Sequence, residues 1–93
     1  MIGFEWDLNK AARNFSDHKV SFGQAAIAFR DPFAVEWIDE REAYGEERSV
    51  LLGIYQREVL YVAYTERGET IRIISARRAE KYEQDQYYRQ NAP

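Results

Sequence analysis

Ser49-Val50-Leu51-Leu52-Gly53-Ile54-Tyr55, Val59-Leu60-Tyr61-Val62-Ala63-Tyr64-Thr65 and Thr70-Ile71-Arg72-Ile73-Ile74-Ser75 follow one another with only polar residues between them. Runs of this length, rich in β-branched and aromatic side chains, fit a pleated, half-buried surface better than a helix. Gln56-Arg57-Glu58 separates the first two runs and reads as a hairpin turn. Glu66-Arg67-Gly68-Glu69 makes the next turn. Upstream, Phe33, Val35 and Trp37 alternate with Ala34, Glu36 and Ile38, which adds a strand in front. The charged segment Glu40–Glu47, with Gly45 inside it, reads as an exposed turn. Four consecutive strands joined by short turns predict a four-stranded antiparallel meander.

Working outward, the flanks are helical. Asp7 can cap a helix over Leu8–Phe15, whose Leu8, Ala11, Ala12 and Phe15 recur at helical spacing on one face. Ser21 and Gln24 form a capping-box pair, and Val20 can staple onto Ala25 at the start of a second helix. That helix presents Phe22, Ala25, Ala26 and Phe29, and Pro32 ends it by pushing Asp31 out of the helical region. A last helix is expected from about Arg78 to Gln90, with Ala79, Tyr82 and Tyr87 towards one side. Asn91-Ala92-Pro93 reads as a frayed end. The order ααββββα belongs to the α+β class: two N-terminal helices, an antiparallel sheet covered on one face, and a C-terminal helix.

With 93 residues the chain makes one domain, residues 1–93, that buries roughly 60–65% of its unfolded surface. A 45% hydrophobic and 15% aromatic content argues against disorder. The absence of Cys removes disulfides, thiolate metal sites and a Cys nucleophile. No basic segment followed by an apolar run opens the chain, and no apolar stretch is long enough to cross a bilayer. The expectation is a cytoplasmic protein. The net charge of −3 hides an asymmetry: residues 1–47 hold five Lys/Arg and ten Asp/Glu, whereas residues 48–93 hold eight and six. An acidic face and a basic face can coexist on such a chain.

The third apolar run carries the most chemistry. Arg72 sits in mid-strand, on the side of Ile74 and opposite Ile71 and Ile73, and a guanidinium there needs a partner or a cleft. Arg67 precedes it in the turn, and Arg77 and Arg78 follow. Arginine suits phosphate because its planar donors engage two oxygens at once. The alternative is a structural ion pair between Arg72 and an acid such as Glu83. His18, the single histidine, lies in the link between the first two helices and suits either proton transfer or a loop hydrogen bond. Lys10 and Arg13 fall on the first helix. Tyr82, Tyr87 and Tyr88 can stack on bases or edge the core. One His, no Cys and scattered acids give no metal-ligand spacing, and neither a glycine-rich phosphate loop nor a Gly-x-Ser-x-Gly elbow is present. No metal and no cofactor are expected.

Across nearly its whole length the chain resembles the BrnT family of toxins. The matching residues are Trp6-Asp7 with Lys10 and Asn14, then His18 with Val20 and Phe22, then Ala25, Phe29-Arg30-Asp31-Pro32 and Asp39. Gly45-Glu46-Glu47-Arg48 and Gly53 follow, with Arg72-Ile73-Ile74-Ser75-Ala76-Arg77 as the strongest stretch, and Glu83 and Tyr87 after it. Asp17 and Lys19 stand where relatives carry Lys and Gly beside the histidine, which changes its local charge and backbone freedom. The resemblance implies a RelE-like fold and a ribonuclease toxin of a type II toxin–antitoxin system that halts translation. It implies a BrnA-like antitoxin with a ribbon-helix-helix part, and operator DNA contacted only through that complex; a membrane partner is not implied. Metal-independent cleavage of RNA by 2′-OH attack would then assign Arg67 and Arg72 to the phosphate. Lys10, Arg77 and Arg78 would hold the RNA backbone, His18 would transfer protons, and Tyr87 would be an alternative donor. The competing reading is a catalytically inactive toxin-like module that acts with its partner in transcriptional control.

Overall fold

The computed structural model describes residues 3–41 and 45–92. The strand runs and both capping signals are realised, in the order β1 (Gly3–Glu5), α1 (Leu8–His18), α2 (Phe22–Ala28), β2 (Val35–Asp39), β3 (Arg48–Tyr55), β4 (Glu58–Arg67), β5 (Thr70–Arg78) and α3 (Lys81–Gln90). β2 to β5 form the expected antiparallel meander. The sheet nevertheless has five strands, not four, because β1 adds in parallel beside β5 and gives the order β1-β5-β4-β3-β2. A three-residue strand ahead of a helix carries too little periodicity to stand out. It sets Glu5 opposite Arg72 and packs Phe4 against Phe29.

The β3–β4 turn places Gln56 and Arg57 at φ 47° and 71°, the two positive values of a primed hairpin turn. In the Glu40–Glu47 turn, residues 42–44 lie outside the described residues, as do residues 1, 2 and 93; Gly45, Glu46 and Glu47 are exposed. β5 runs on to Arg78, so α3 starts later than the sequence suggests, with Glu80 as its N-cap.

α1 and α2 cover one face of the sheet, where Phe22, Ala25 and Ala28 pack on Leu51, Val62, Tyr64, Ile71 and Ile73. The second face is covered in part by α3 and the residues leading into it, through Tyr87 and Ala79 on Leu52 and Val59. Gly53 lets α2 come down onto β3: a Cβ there would lie 2.6 Å from the Ala28 carbonyl oxygen.

α1 differs most from expectation. Of its apolar stripe Ala11 packs on the core, but Leu8 is 79% and Phe15 50% exposed, and the buried residue of the helix is Asn14. The Asn14 amide donates to the Val20 and Ala76 carbonyls at 2.9 and 2.8 Å and accepts from the Ala76 N–H at 3.1 Å. β1 ends opposite Arg72, so the outer edge of β5 beyond it has no strand neighbour, and Asn14 supplies the missing peptide-like partner. Satisfying those buried backbone groups outweighs hiding a leucine and a phenylalanine. Asn14→Ala is therefore expected to cost about 2–4 kcal/mol in urea denaturation, and Gly53→Ala about 2–3 kcal/mol. A loss under about 0.5 kcal/mol for Asn14→Ala would sink the account of how α1 is held.

Candidate functional site

The partly covered second face of the sheet holds the arginines, and an irregularity in β5 decides which ones. Arg72 and Arg77 are five residues apart, which in a regular strand puts them on opposite faces. The register shifts at Ala63/Tyr64: Ile73 pairs with Tyr64 but Ser75 pairs with Ala63, leaving Ile74 as the extra residue. Beyond this bulge the faces exchange. Ala76 joins the α1/α2 core, while Arg77, opposite Tyr61, comes onto the same face as Arg72, opposite Thr65. Ile74 consequently does not share a face with Arg72 as regular alternation predicts; it lines a small cavity beside Lys10, Asn14 and His18.

At one end of this face Arg72 bonds Glu5 at 2.7 Å, and Arg67 grips Glu46 through two bonds of 2.9 and 3.1 Å. The Arg67 guanidinium holds the Glu46 carboxyl below its usual range, and the charges of Arg72 and Arg48 add to the effect. One guanidinium, that of Arg67, thus bonds the carboxylate, and the charges of two more, Arg72 and Arg48, reach it. Glu46 and Arg67 keep 44% and 47% of their side-chain surface exposed, so the pair can open to solvent.

At the other end Arg77 makes two bonds to Glu83, 2.8 and 2.9 Å, with its guanidinium 4.0 Å above the Tyr61 ring. Glu83, not free to serve Arg72 as the sequence suggested, is only 4% exposed and also accepts from the Glu80 N–H. Burial opposes ionisation of Glu83, but these bonds outweigh it and hold the carboxyl below its ordinary value. This pair is a fixed strut rather than an exchangeable contact.

The remaining sequence-derived candidates lie elsewhere. His18 is the exposed last residue of α1, not part of the link; its carbonyl accepts from Arg78, which also pairs with Glu58. α1 runs alongside β5, with Asp7 near Arg72 and Asn14 on Ala76. His18 therefore sits roughly 15 Å, the length of the helix, from the Arg67–Arg72 end. Lys10 is exposed in the first turn of α1, at the end near Arg72. Tyr87 is buried and donates its hydroxyl to Asp31 at 2.5 Å; burial first, and the Asp31 carboxylate second, push the phenol well above its usual value. Asp31 also accepts from the Phe33 and Ile54 N–H groups, which ties α3 to β3. The structure thus joins Arg67 and Arg72, and not His18 or Tyr87, into one cluster.

A cavity of about 370 Å³ borders the cluster at Glu46 and Thr65 and adds Glu36, Glu47 and Glu66 to its acidic side. Burial and the nearby Glu36 charge push its Tyr64 hydroxyl up to about 12. Among the described residues no three His, Asp or Glu side chains converge as metal ligands, and no helix is long and apolar enough to cross a membrane. Sequence reasoning passed over Arg48, Glu5 and Glu46 in the cluster; only the Gly45–Arg48 turn, as a family feature, pointed towards two of them.

Residues 6–83 match the model of the ribonuclease toxin BrnT of type II toxin–antitoxin systems. The chain belongs to the BrnT family. The BrnT match includes Lys10, His18, Arg48, Arg67, Arg72, Arg77 and Arg78, and ends before Tyr87. No curated protein matches the chain.

The Glu83 strut gives a signed pH prediction. Because its folded value lies below the ordinary 4.5, its contribution is complete above that value and is lost as pH falls through the folded one. Glu83→Gln is expected to lose about 2–3 kcal/mol at neutral pH, less than a fully buried pair because Arg77 remains partly exposed. The difference between variant and parent should shrink progressively in melts taken as the pH is lowered below 4.5. A gap that stays constant down to the acid unfolding of the parent would contradict the assignment.

Proposed function

We propose that this BrnT-family chain cleaves single-stranded RNA by attack of a ribose 2′-OH on the adjacent phosphorus. The P–O5′ bond breaks, leaving a 2′,3′-cyclic phosphate and a 5′-hydroxyl. The nucleophile belongs to the substrate, so the work left to the protein is alignment and stabilisation of charge on the phosphoryl oxygens. The observation that supports this reading is the two-bond grip of Arg67 on the half-exposed Glu46 carboxylate, with Arg72 on the same face and the charges of Arg72 and Arg48 reaching that carboxylate. A phosphodiester offers the same two-oxygen geometry as that carboxylate and is met by the same guanidinium donors. In this reading Glu46 marks the place of the scissile phosphate and leaves when RNA arrives, while Glu5 keeps Arg72 oriented.

Lys10, exposed near the Arg72 end, takes the flanking backbone, whereas Arg77, held by Glu83, and Arg78, on the α1/α2 side, serve the fold first. His18, exposed on α1 but roughly 15 Å from the cluster, is out of hydrogen-bond reach of a phosphate held there, so water takes the 2′-OH proton and supplies one to the leaving O5′; Tyr87, committed to Asp31, serves the fold first. Translation stops as messages are cut, and a BrnA-like ribbon-helix-helix antitoxin neutralises the toxin and brings the complex to operator DNA. The setting proposed is the cytoplasm.

Purified protein in excess EDTA should cleave RNA, and Arg67→Ala and Arg72→Ala should each lower the rate by about 10²–10³-fold with unchanged melting profiles. Glu46→Gln should lower KM several-fold, since the competing carboxylate is gone. His18→Ala should cost less than Arg72→Ala, given its distance from the cluster. Absence of cleavage of any RNA by folded protein, in EDTA or with metal, favours the inactive module that acts only in transcriptional control.

A further inference from the structure

The arginine face continues past Arg77 into an aromatic cleft that the charge cluster does not use. A cavity of about 200 Å³ opens there, lined by Trp37, Arg41, Tyr61, Tyr82, Glu83 and Gln86. Trp37 and Tyr61 meet edge to face with centroids 6.3 Å apart. Tyr82 reaches over from α3 and is 65% exposed, although Ala79 and Tyr87 already anchor that segment. The cleft is small beside the ~300–1,000 Å³ of sites for larger ligands and suits one planar ring system.

Its charges are already matched. Arg41 is bonded to Asp39 at 2.9 and 3.0 Å and donates to the Tyr61 hydroxyl at 3.1 Å, while Arg77 is bonded to Glu83. An ionic ligand would have to break these pairs, whereas a neutral, flat and polar-edged one would not. The Gln86 amide offers a donor and an acceptor at the rim.

The register places the cleft on the same face as the proposed phosphate cluster. Tyr61 pairs with Arg77 and Thr65 with Arg72, so four residues of β4, about 13 Å, separate the two. We propose that the Trp37–Tyr61–Tyr82 cleft holds one unpaired nucleobase of the strand whose backbone lies on Arg67 and Arg72. The ring stacks on the aromatic side chains, and Gln86 reads its edge. This rests on the RNA-cleaving reading, from which it takes the direction of the strand across the sheet.

The test uses the full chain carrying Trp6→Phe, so that Trp37 is the single tryptophan; Trp6 packs on Phe22 at the opposite face, where phenylalanine keeps an aromatic contact. Its emission is followed while a four-residue 2′-deoxy oligonucleotide, which cannot be cleaved by this route, is titrated in. The same backbone with abasic sites is the comparison. We expect Trp37 to be quenched by the base-bearing strand, the abasic strand to bind about tenfold more weakly without quenching, and Tyr82→Ala to weaken the base-bearing strand by a similar factor. Equal binding of both strands with unchanged Trp37 emission, or a Tyr82→Ala variant that binds like its parent, overturns the cleft and leaves the phosphate reading standing. Failure of both strands to bind, together with no cleavage of RNA, overturns both.

Discussion

The outer edge of β5 is the constraint on which the rest of the molecule depends. An uncovered strand edge presents unpaired backbone groups and must be covered or blunted. Here three residues of β1 cover its beginning and the Asn14 amide covers its middle. These two devices fix where α1 lies, and α1 fixes where its charged residues can reach. The bulge at Ile74 belongs to the same edge. It turns Ala76 into the core, where Asn14 can read its backbone, and it turns Arg77 onto the face that Arg72 already occupies. Helix placement and the grouping of the arginines are therefore one solution to one edge.

The arginine face is electrically quiet at rest. Arg67, Arg72 and Arg77 on this face, and Arg78 on the other, each have a carboxylate partner, so a chain of net charge −3 carries its arginines without a large unbalanced field. The partners are not equivalent. Glu83 is buried and hydrogen-bonded to the backbone, so it fixes Arg77. Glu46 is half exposed on a turn, and its contact with Arg67 gains little from being made in water. Exchange of one anion for another is thus cheap at the Arg67 end and costly at the Arg77 end.

Legibility in the sequence followed how local each determinant is. The meander, the Asp7 cap and the Ser21–Gln24 capping box were readable because hydrophobic period and capping chemistry are set within a few residues. The orientation of α1 was not, since its amphipathic stripe predicts burial of Leu8 and Phe15, and the competing demand comes from Ala76, 62 residues further on. The arginines stood out as candidates, but their partners did not: Arg72 takes Glu5, not Glu83, across a strand too short to recognise. Regular alternation also gave the wrong neighbour for Arg72, because a bulge leaves no mark in a run such as Ile73-Ile74-Ser75. Trp37 and Tyr61, read as strand residues, line a cleft only because α3 covers part of their face.

The β1–β5 contact has a consequence for how the chain reaches its folded state. Glu5 and Arg72 are 67 residues apart, and parallel pairing cannot be made through a tight turn. The hairpins β2–β3–β4–β5 need only local closure, whereas β1 must wait for an edge that exists once they have formed. Non-local pairing of this kind is paid for in loop entropy before it is rewarded, and it slows folding. During synthesis from the N-terminus, the first strand to be made is thus among the last to find its place, and α1 stays unanchored until β5 has been completed.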